Sequence, residues 1–132
     1  MYLLDTNIVR YWMRGDRKLI RRIKGHSPSD LSLSTITLAE IYYGIAKSPV
    51  KKDERRWKIQ RIREELTLFD FNENAATTYG LIRASLEKQG LPISERDLQI
   101  ASIAAANDLC LVTHNTREFS RIKQLQVEGW AE

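Results

Sequence analysis

Tyr2-Leu3-Leu4-Asp5-Thr6-Asn7, at the amino terminus, joins a short apolar run to a carboxylate and two further polar side chains. The apolar run predicts a buried β-strand, which places Asp5 at the carboxyl end of that strand. Open α/β sheets bind their ligands at this end of their strands. A carboxylate there is partly removed from water, so it destabilises the fold or has a raised pKa unless a cation or a basic group accompanies it. The stretch therefore predicts both a central strand and a binding site at its end.

Strands and helices alternate along the rest of the chain. Apolar runs predict further strands at 31–34, 67–71 and 109–113, and a short one near 125–128. Helical spacing of apolar residues and capping residues predict helices at about 7–14, 17–25, 37–47, 53–66, 72–89, 94–107 and 116–122. This order favours an α/β fold with a central, mostly parallel sheet of four or five strands and helices on both faces.

Length and composition limit the class of protein. At 132 residues the chain predicts one domain, 1–132, that buries a core without disulfides. The single cysteine, Cys110, lies in an apolar run and is expected to be a small core residue. Because no apolar stretch is long enough to span a membrane and the amino terminus has no leader pattern, we expect a cytoplasmic protein without membrane association.

Basic residues outnumber acidic ones, 21 to 17, and crowd into two regions. A run of charge is often no more than a solvated helix face, and that interpretation stays open for each region. The net charge of +4 and the crowding nevertheless favour a polyanionic partner. The crowded residues are Arg10, Arg14, Arg17, Lys18, Arg21, Arg22 and Lys24 in the first region, and Lys47, Lys51, Lys52, Arg55, Arg56, Lys58, Arg61 and Arg63 in the second.

Two further acids, Glu40 and Asp97, stand near the starts of predicted helices. If the fold brings them to Asp5, the three carboxylates form a cup of the kind that binds a hard divalent cation. Both acids also have ordinary structural interpretations that involve no metal. Asp97 follows Ser94 at the spacing of a helix capping box, and Glu40 lies on the side of its helix away from the apolar positions, as an exposed glutamate would. A basic protein whose acids converge is the pattern expected of a metal-dependent nuclease.

More candidate ligands follow the strand predicted at 109–113. Thr113, Asn115 and Glu118 all offer oxygen atoms. His114 is expected to be a surface loop residue, because hard cations prefer oxygen ligands and no second histidine stands nearby.

Four blocks of sequence resemble the signature blocks of the PIN-domain ribonucleases, and more narrowly those of the VapC toxins of bacterial toxin–antitoxin pairs. The resemblance runs from residue 2 to about Trp130, with the blocks in the family's order. The blocks are Leu4-Asp5-Thr6-Asn7, Ile36-Thr37-Leu38-Ala39-Glu40, Gly90-Leu91-Pro92-Ile93-Ser94-Glu95-Arg96-Asp97-Leu98-Gln99-Ile100-Ala101 and Leu111-Val112-Thr113-His114-Asn115-Thr116-Arg117-Glu118-Phe119.

The resemblance implies a three-layer PIN-like sandwich and a site that binds Mg²⁺ or Mn²⁺. Its acidic core would be Asp5, Glu40 and Asp97, with Asp5 and Asp97 in direct contact with the metal. This chain departs from the family at the fourth acidic position, which is Asn115 here. Two alternatives stay open: Glu118 supplies the missing charge, or Asn115 acts through its carbonyl group or a bound water.

The ligand set implies the chemistry of cleavage. One or two divalent cations would activate a water molecule and offset the charge that builds on the phosphate. Since this route does not need the 2′-hydroxyl of the RNA, we expect products with a 5′-phosphate and a 3′-hydroxyl. Thr6, Asn7, Thr113 and Asn115 are expected to surround the acids and to hydrogen-bond the carboxylates or the scissile phosphate.

The resemblance also implies which molecules this protein binds. The stretch from Thr113 to Trp130 is similar to enteric VapC toxins that cut initiator tRNA, so tRNA is the expected substrate, cut in its anticodon region. Consecutive large side chains at 11–13 and 41–43 leave some of them exposed, either as covers of the sheet edge or as a contact surface. The resemblance favours a contact surface for a VapB-type antitoxin helix, and self-association into a homodimer or a toxin–antitoxin hetero-oligomer. Such an antitoxin would also present an Arg or a Lys to the acids.

Two other functions remain possible from the sequence. A receiver-type signalling domain is also a small α/β protein with clustered acids, but it needs a lysine after its last strand, and 125–132 offers none. A catalytically degenerate PIN domain would bind RNA or protein without cutting, and Asn115 makes that alternative conceivable.

Overall fold

The computed structural model describes residues 1–130, and its strands and helices alternate as the sequence predicts. The elements are β1 Tyr2–Leu4, α1 Thr6–Met13, α2 Arg17–Lys24, a 3₁₀ turn at Pro28–Asp30, β2 Leu31–Ser34, α3 Thr35–Lys47, α4 Lys52–Glu65, β3 Thr67–Phe69, α5 Glu73–Gln89, α6 Glu95–Ala106, β4 Cys110–Val112, α7 Thr116–Phe119 and β5 Gln126–Glu128.

The five strands form one sheet in the order β3-β2-β1-β4-β5, and every neighbouring pair is parallel. The prediction of an α/β fold is confirmed, and the sheet is parallel throughout rather than mostly parallel. From β1 the chain first builds outward through β2 and β3, then returns to the other side of β1 for β4 and β5. The order of strands therefore reverses between β1 and β4, which is where open α/β sheets bind ligands.

Alternating side chains of the strands face two separate cores. Leu3 of β1 and Leu111 of β4 pack with α5, α6 and α7, whereas Leu4 and Val112 pack against the helices of the first half of the chain. All four side chains are fully buried. This alternation follows from the period of two residues in a strand, and it gives the three layers of a helix–sheet–helix sandwich.

Strand β1 passes into helix α1 without a loop. Asp5 is the residue before the helix, and its Oδ1 accepts a hydrogen bond from the backbone N–H of Thr6 at 2.8 Å. Its backbone carbonyl accepts the N–H of Val9 at 3.1 Å, as in a regular helix start. Strand end, carboxylate and helix start therefore coincide at one residue, which fixes the direction of the Asp5 side chain.

The structure corrects two local predictions. Cys110 is only half-buried, because it lies at the amino end of β4 near the edge of the sheet, where its thiol contacts Glu128 Oε2 at 3.3 Å. Ser94 occupies the N-cap position of α6 as expected, but its side chain makes no hydrogen bond to the helix backbone. Within residues 1–130 no helix is both long and apolar enough to cross a bilayer.

Candidate active site

Asp5 lies at the point where the order of strands reverses. The residue that follows β4, Thr113, is its neighbour across the sheet, and the Thr113 hydroxyl donates a hydrogen bond of 2.8 Å to Asp5 Oδ2. Both residues are buried, with Asp5 only 5% exposed and Thr113 fully enclosed. With the Thr6 N–H on the other oxygen, each Asp5 oxygen has one fixed donor. The carboxylate is therefore held in one orientation by groups from two strand ends.

Burial raises the pKa of Asp5 from 3.8 to about 6. The Thr113 and Thr6 hydrogen bonds oppose this rise, while the negative charges of Asp97 and Glu40 add to it. Within the described part of the chain, no Lys or Arg pairs with Asp5. The carboxylate is thus ionised at neutral pH against the cost of its surroundings, as expected for a group that a cation compensates.

A chain of hydroxyl groups fixes Glu40. The Thr6 hydroxyl donates to Glu40 Oε1 at 2.7 Å, so its oxygen is left to accept from Thr37 Oγ1, 3.0 Å away. The Ser34 hydroxyl in turn donates to Thr37 at 3.3 Å. Since Glu40 is 17% exposed and bound in this way, the interpretation of it as an ordinary exposed glutamate is wrong. Hydrogen bonds aligned toward one carboxylate strengthen one another.

Asp97 belongs to the first turn of α6, on the helix that leads into β4. Burial raises its pKa, and the charges of Glu118 and Glu40 raise it further, while the Ser94 hydroxyl lowers it. Because the pKa of Asp5 also responds to Asp97 and Glu40, the four acids share one region at the carboxyl ends of the strands. The fold therefore brings together side chains that are far apart in the sequence.

Asn115 and Glu118 act as a pair rather than as alternatives. The Asn115 side-chain N–H donates to Glu118 Oε2 at 2.6 Å, and the Asn115 backbone N–H donates to Thr113 Oγ1 at 3.0 Å. Asn115 therefore connects Glu118 to the Thr113–Asp5 contact. The amide supplies a donor that a carboxylate at this position would lack.

Three residues depart from the sequence-based picture of the site. Asn7 was expected to hydrogen-bond a carboxylate or the scissile phosphate; it is exposed, and its side-chain oxygen accepts from Arg10 Nη1 at 3.0 Å rather than meeting an acid. Arg96 was not predicted, and its Nη1 lies 3.5 Å from Glu40 Oε2. Thr37 was missed as well, although it stands one helical turn before Glu40, which is a spacing that brings two side chains together.

The donors of the site fit a hard divalent cation. All of them are oxygen atoms, and Asp5 is a buried carboxylate without a basic partner. In the described residues, however, no three acidic, histidine or cysteine side chains stand close enough together to hold one ion. Asp5 and Glu40 instead each accept a hydrogen bond from a hydroxyl group, Asp5 from Thr113 and Glu40 from Thr6.

The chain is similar to known proteins over almost its whole length. The PIN domain family model matches residues 2–125. The chain is 38% identical over 130 residues to ribonuclease VapC2 of Haemophilus influenzae, a match covering 98% of this chain and 97% of the relative. It is 33% identical over 130 residues to the tRNA(fMet)-specific endonuclease VapC of Shigella flexneri, covering 98% of each. The crystal structure of VapBC2 from Rickettsia felis bound to a promoter DNA fragment matches with a TM-score of 0.90 and 36% identity, covering 98% of both chains.

Asp5→Asn is expected to stabilise the protein in a pH-dependent way when divalent cations are removed with EDTA. The folded-state pKa of Asp5 is about 6, above its usual value of 3.8, so the protonated carboxyl contributes its full stability below about pH 4. That contribution is lost as the pH rises through 6. We expect the variant to gain about 2–3 kcal/mol in free energy of unfolding at pH 8 and almost nothing at pH 4, measured by urea denaturation. Asp70→Asn, at an exposed carboxylate, is the control, and an equal gain at both pH values would contradict the assignment.

Thr113→Val keeps the shape of the side chain but removes the hydroxyl that serves Asp5 and Asn115. A buried charged acceptor then loses its donor, so the free energy of unfolding should fall by about 1–3 kcal/mol at pH 7.5. Thr113→Ser retains the hydroxyl and should recover most of the loss. If the valine variant is as stable as the wild type, the Thr113 hydroxyl does not stabilise the buried Asp5 carboxylate.

Proposed function

Because this chain belongs to the PIN-domain family, among its VapC ribonucleases, we propose that it hydrolyses RNA with the help of a divalent cation held by Asp5, Glu40 and Asp97. The protein is an endoribonuclease toxin of a toxin–antitoxin module, neutralised by a VapB-type antitoxin. The observation that carries the proposal for the site is the buried Asp5, whose pKa is raised in part by the charges of Asp97 and Glu40 and which has no basic partner within residues 1–130.

The side chains have separate tasks in this proposal. Asp5 and Asp97 hold the cation, Glu40 holds it or orients the attacking water, and Thr113 keeps the Asp5 oxygens in place. Mg²⁺ or Mn²⁺, when bound, supplies Lewis-acid activation of water and offsets negative charge on the phosphate. Glu118, fixed by Asn115, adds a fourth negative charge near Asp97. Attack by water leaves a 5′-phosphate and a 3′-hydroxyl.

Initiator tRNA is the proposed substrate. Support comes from the similarity to the tRNA(fMet)-specific endonuclease VapC of Shigella flexneri over the full chain. The acids carry no information about sequence, so selectivity has to come from the shape of the RNA and from its unstacked loop bases.

The antitoxin contact is proposed for the exposed aromatic surfaces. Trp12 and Met13 line a cavity of about 440 Å³ together with Trp57, which is 59% exposed. An amphipathic antitoxin helix would cover these side chains. Tyr42 and Tyr43 of α3 are also exposed, and we propose them for self-association into a dimer.

Asp5→Asn and Asp97→Asn should each lower the cleavage of total tRNA in Mg²⁺ by about 10²-fold or more, because each removes several kcal/mol of charge stabilisation. Asp108→Asn makes the same charge change at an exposed residue before β4, on the opposite edge of the sheet, and should cleave like the wild type. A 5′-phosphate-dependent exonuclease should degrade the downstream fragments without prior kinase treatment. Equal cleavage by all four proteins would identify a contaminating nuclease, and tight RNA binding without any cleavage would indicate a degenerate PIN domain.

Arg96→Gln should strengthen the binding of Mn²⁺ in the absence of RNA, because it removes the positive charge beside Glu40. The gain should be about fivefold at most, since an exposed ion pair is worth up to about 1 kcal/mol. Glu118→Gln should weaken the binding, and titration calorimetry measures both effects. Arg63→Gln, at an exposed residue of α4, is the control for net charge. Unchanged affinity in both site variants would place the cation away from these acids.

A further inference from the structure

Six basic side chains line two adjoining cavities beside the acidic site. The cavities measure about 460 and 550 Å³, and they share Arg10, Arg14 and Arg55, so they form one continuous depression. We call it the basic groove and define it by Arg10, Arg14, Lys47, Lys51, Arg55 and Lys58.

Positive charge dominates this groove. Glu54 is the one acid in its described lining, and it already pairs with Lys58 at 3.4 Å. A concave surface with charges of one sign focuses the electric field and raises the local concentration of a ligand of opposite charge. The ligand class that the groove favours is therefore a polyanion.

The groove lies next to the acidic site along α1. Asn7, two residues after Asp5, belongs to its lining, and Arg10 donates its hydrogen bond to this Asn7. Because α1 starts directly after Asp5, a rise of about 1.5 Å per residue places Arg10 about 7.5 Å and Arg14 about 13.5 Å along the helix axis from the Asp5 backbone. A chain that passes the acids can continue into the groove over the length of a few nucleotides.

Several groove residues are held by contacts between elements. Arg55 Nη1 donates to the Gly44 carbonyl at 3.4 Å, and Lys58 Nζ donates to the Met13 carbonyl at 3.0 Å, so α4 is tied to α3 and α1. Lys51 adopts a left-handed conformation with φ of 58°, which costs a residue other than Gly or Asn about 1 kcal/mol or more. Arg55 and Lys58 are thus built into the packing of the helices, whereas Arg14, Lys47 and Lys51 are exposed.

An aromatic pair lies at the junction of the groove and the site. Tyr11 lines the groove, and its ring meets that of the exposed His114 edge to face at a centroid distance of 5.7 Å. His114 follows Thr113, the partner of Asp5. Aromatic faces next to cationic side chains are the arrangement on which unstacked bases of single strands bind.

We propose that the basic groove binds the sugar–phosphate backbone of a single-stranded segment of the substrate RNA, adjacent to the scissile bond. The inference rests on the ribonuclease function and names the residues that guide the substrate to the acids. It also assigns RNA binding to only some of the residues in the two basic regions of the sequence. Arg17, Lys18 and Arg21 of α2 line neither cavity of the groove, although the sequence alone treats them like Arg10 and Arg14.

The test compares two double variants, both made in an Asp97→Asn background so that binding is measured without turnover. The groove variant is Lys47→Gln with Lys51→Asn, because Asn tolerates the left-handed conformation. The matched control is Lys18→Gln with Arg21→Gln, which removes the same charge from α2. Initiator tRNA and a 15-nucleotide single-stranded RNA serve as probes, with Kd measured across NaCl concentrations and thermal melts as the check of folding.

The groove variant should bind both RNAs about tenfold more weakly at 0.15 M salt. The slope of log K against log salt should fall by about 1.4, which is about 0.7 for each lost phosphate contact to a single strand. The control should bind like its parent. An equal loss in both double variants would overturn the proposal, since net charge alone would then explain it.

Two further probes separate other ligands. If the groove variant loses affinity only for a duplex DNA of the same length, the groove binds DNA and the proposal fails. If polyglutamate binds as tightly as RNA and loses the same affinity in the groove variant, the groove binds an acidic protein and the proposal also fails. If the groove variant loses RNA affinity while the protein with intact Asp97 cleaves nothing, the groove assignment stands and the nuclease mechanism fails.

Discussion

The hydrogen bond between Asp5 and Thr113 joins two strand ends that are 108 residues apart in the sequence. It exists because β1 and β4 are neighbours in register, with Leu4 opposite Val112, so the residues that follow both strands meet. Burial of a carboxylate costs free energy, and two neutral donors offset that cost only in part, as the raised pKa of Asp5 indicates. The sheet therefore carries a destabilising charge at its centre, which is the pattern of a site that is kept for function at the expense of stability.

Hydroxyl groups orient Asp5 and Glu40, and the one basic contact described at these acids is that of Arg96 with Glu40. Thr113 serves Asp5, and the series Ser34, Thr37 and Thr6 serves Glu40, with each hydroxyl donating toward the carboxylate. A hydroxyl orients a carboxylate but leaves its charge, whereas a buried arginine would cancel it. The site thus combines fixed geometry with uncompensated charge, and both are requirements for binding a cation tightly and in a defined position.

The sequence predicts those parts of the structure that depend on neighbouring residues. Asn72 caps α5 through the N–H of Ala75, and Gly90 ends that helix with φ of 70°, because both effects arise within one helical turn. Glu40 was misjudged for the opposite reason. Its position on the helix looks exposed until Thr6, from another element, arrives beside it, and nothing local to α3 encodes that contact. Asp5 could be placed from the sequence because the strand, the site and the helix start meet there.

Asp5 and Arg10 carry opposite charges and lie close together along α1. A hydrogen bond of Arg10 explains why the two side chains do not form an ion pair. Arg10 stands little more than one turn beyond Asp5 on α1, at a distance where an unrestrained guanidinium could reach toward the acids. Its Nη1 instead donates to the Asn7 side chain, on the exposed side of the helix. Arg10 therefore has a neutral partner in Asn7, and Asp5 keeps no basic partner within residues 1–130. Positive and negative side chains thus lie side by side on this surface without cancelling the charge of Asp5.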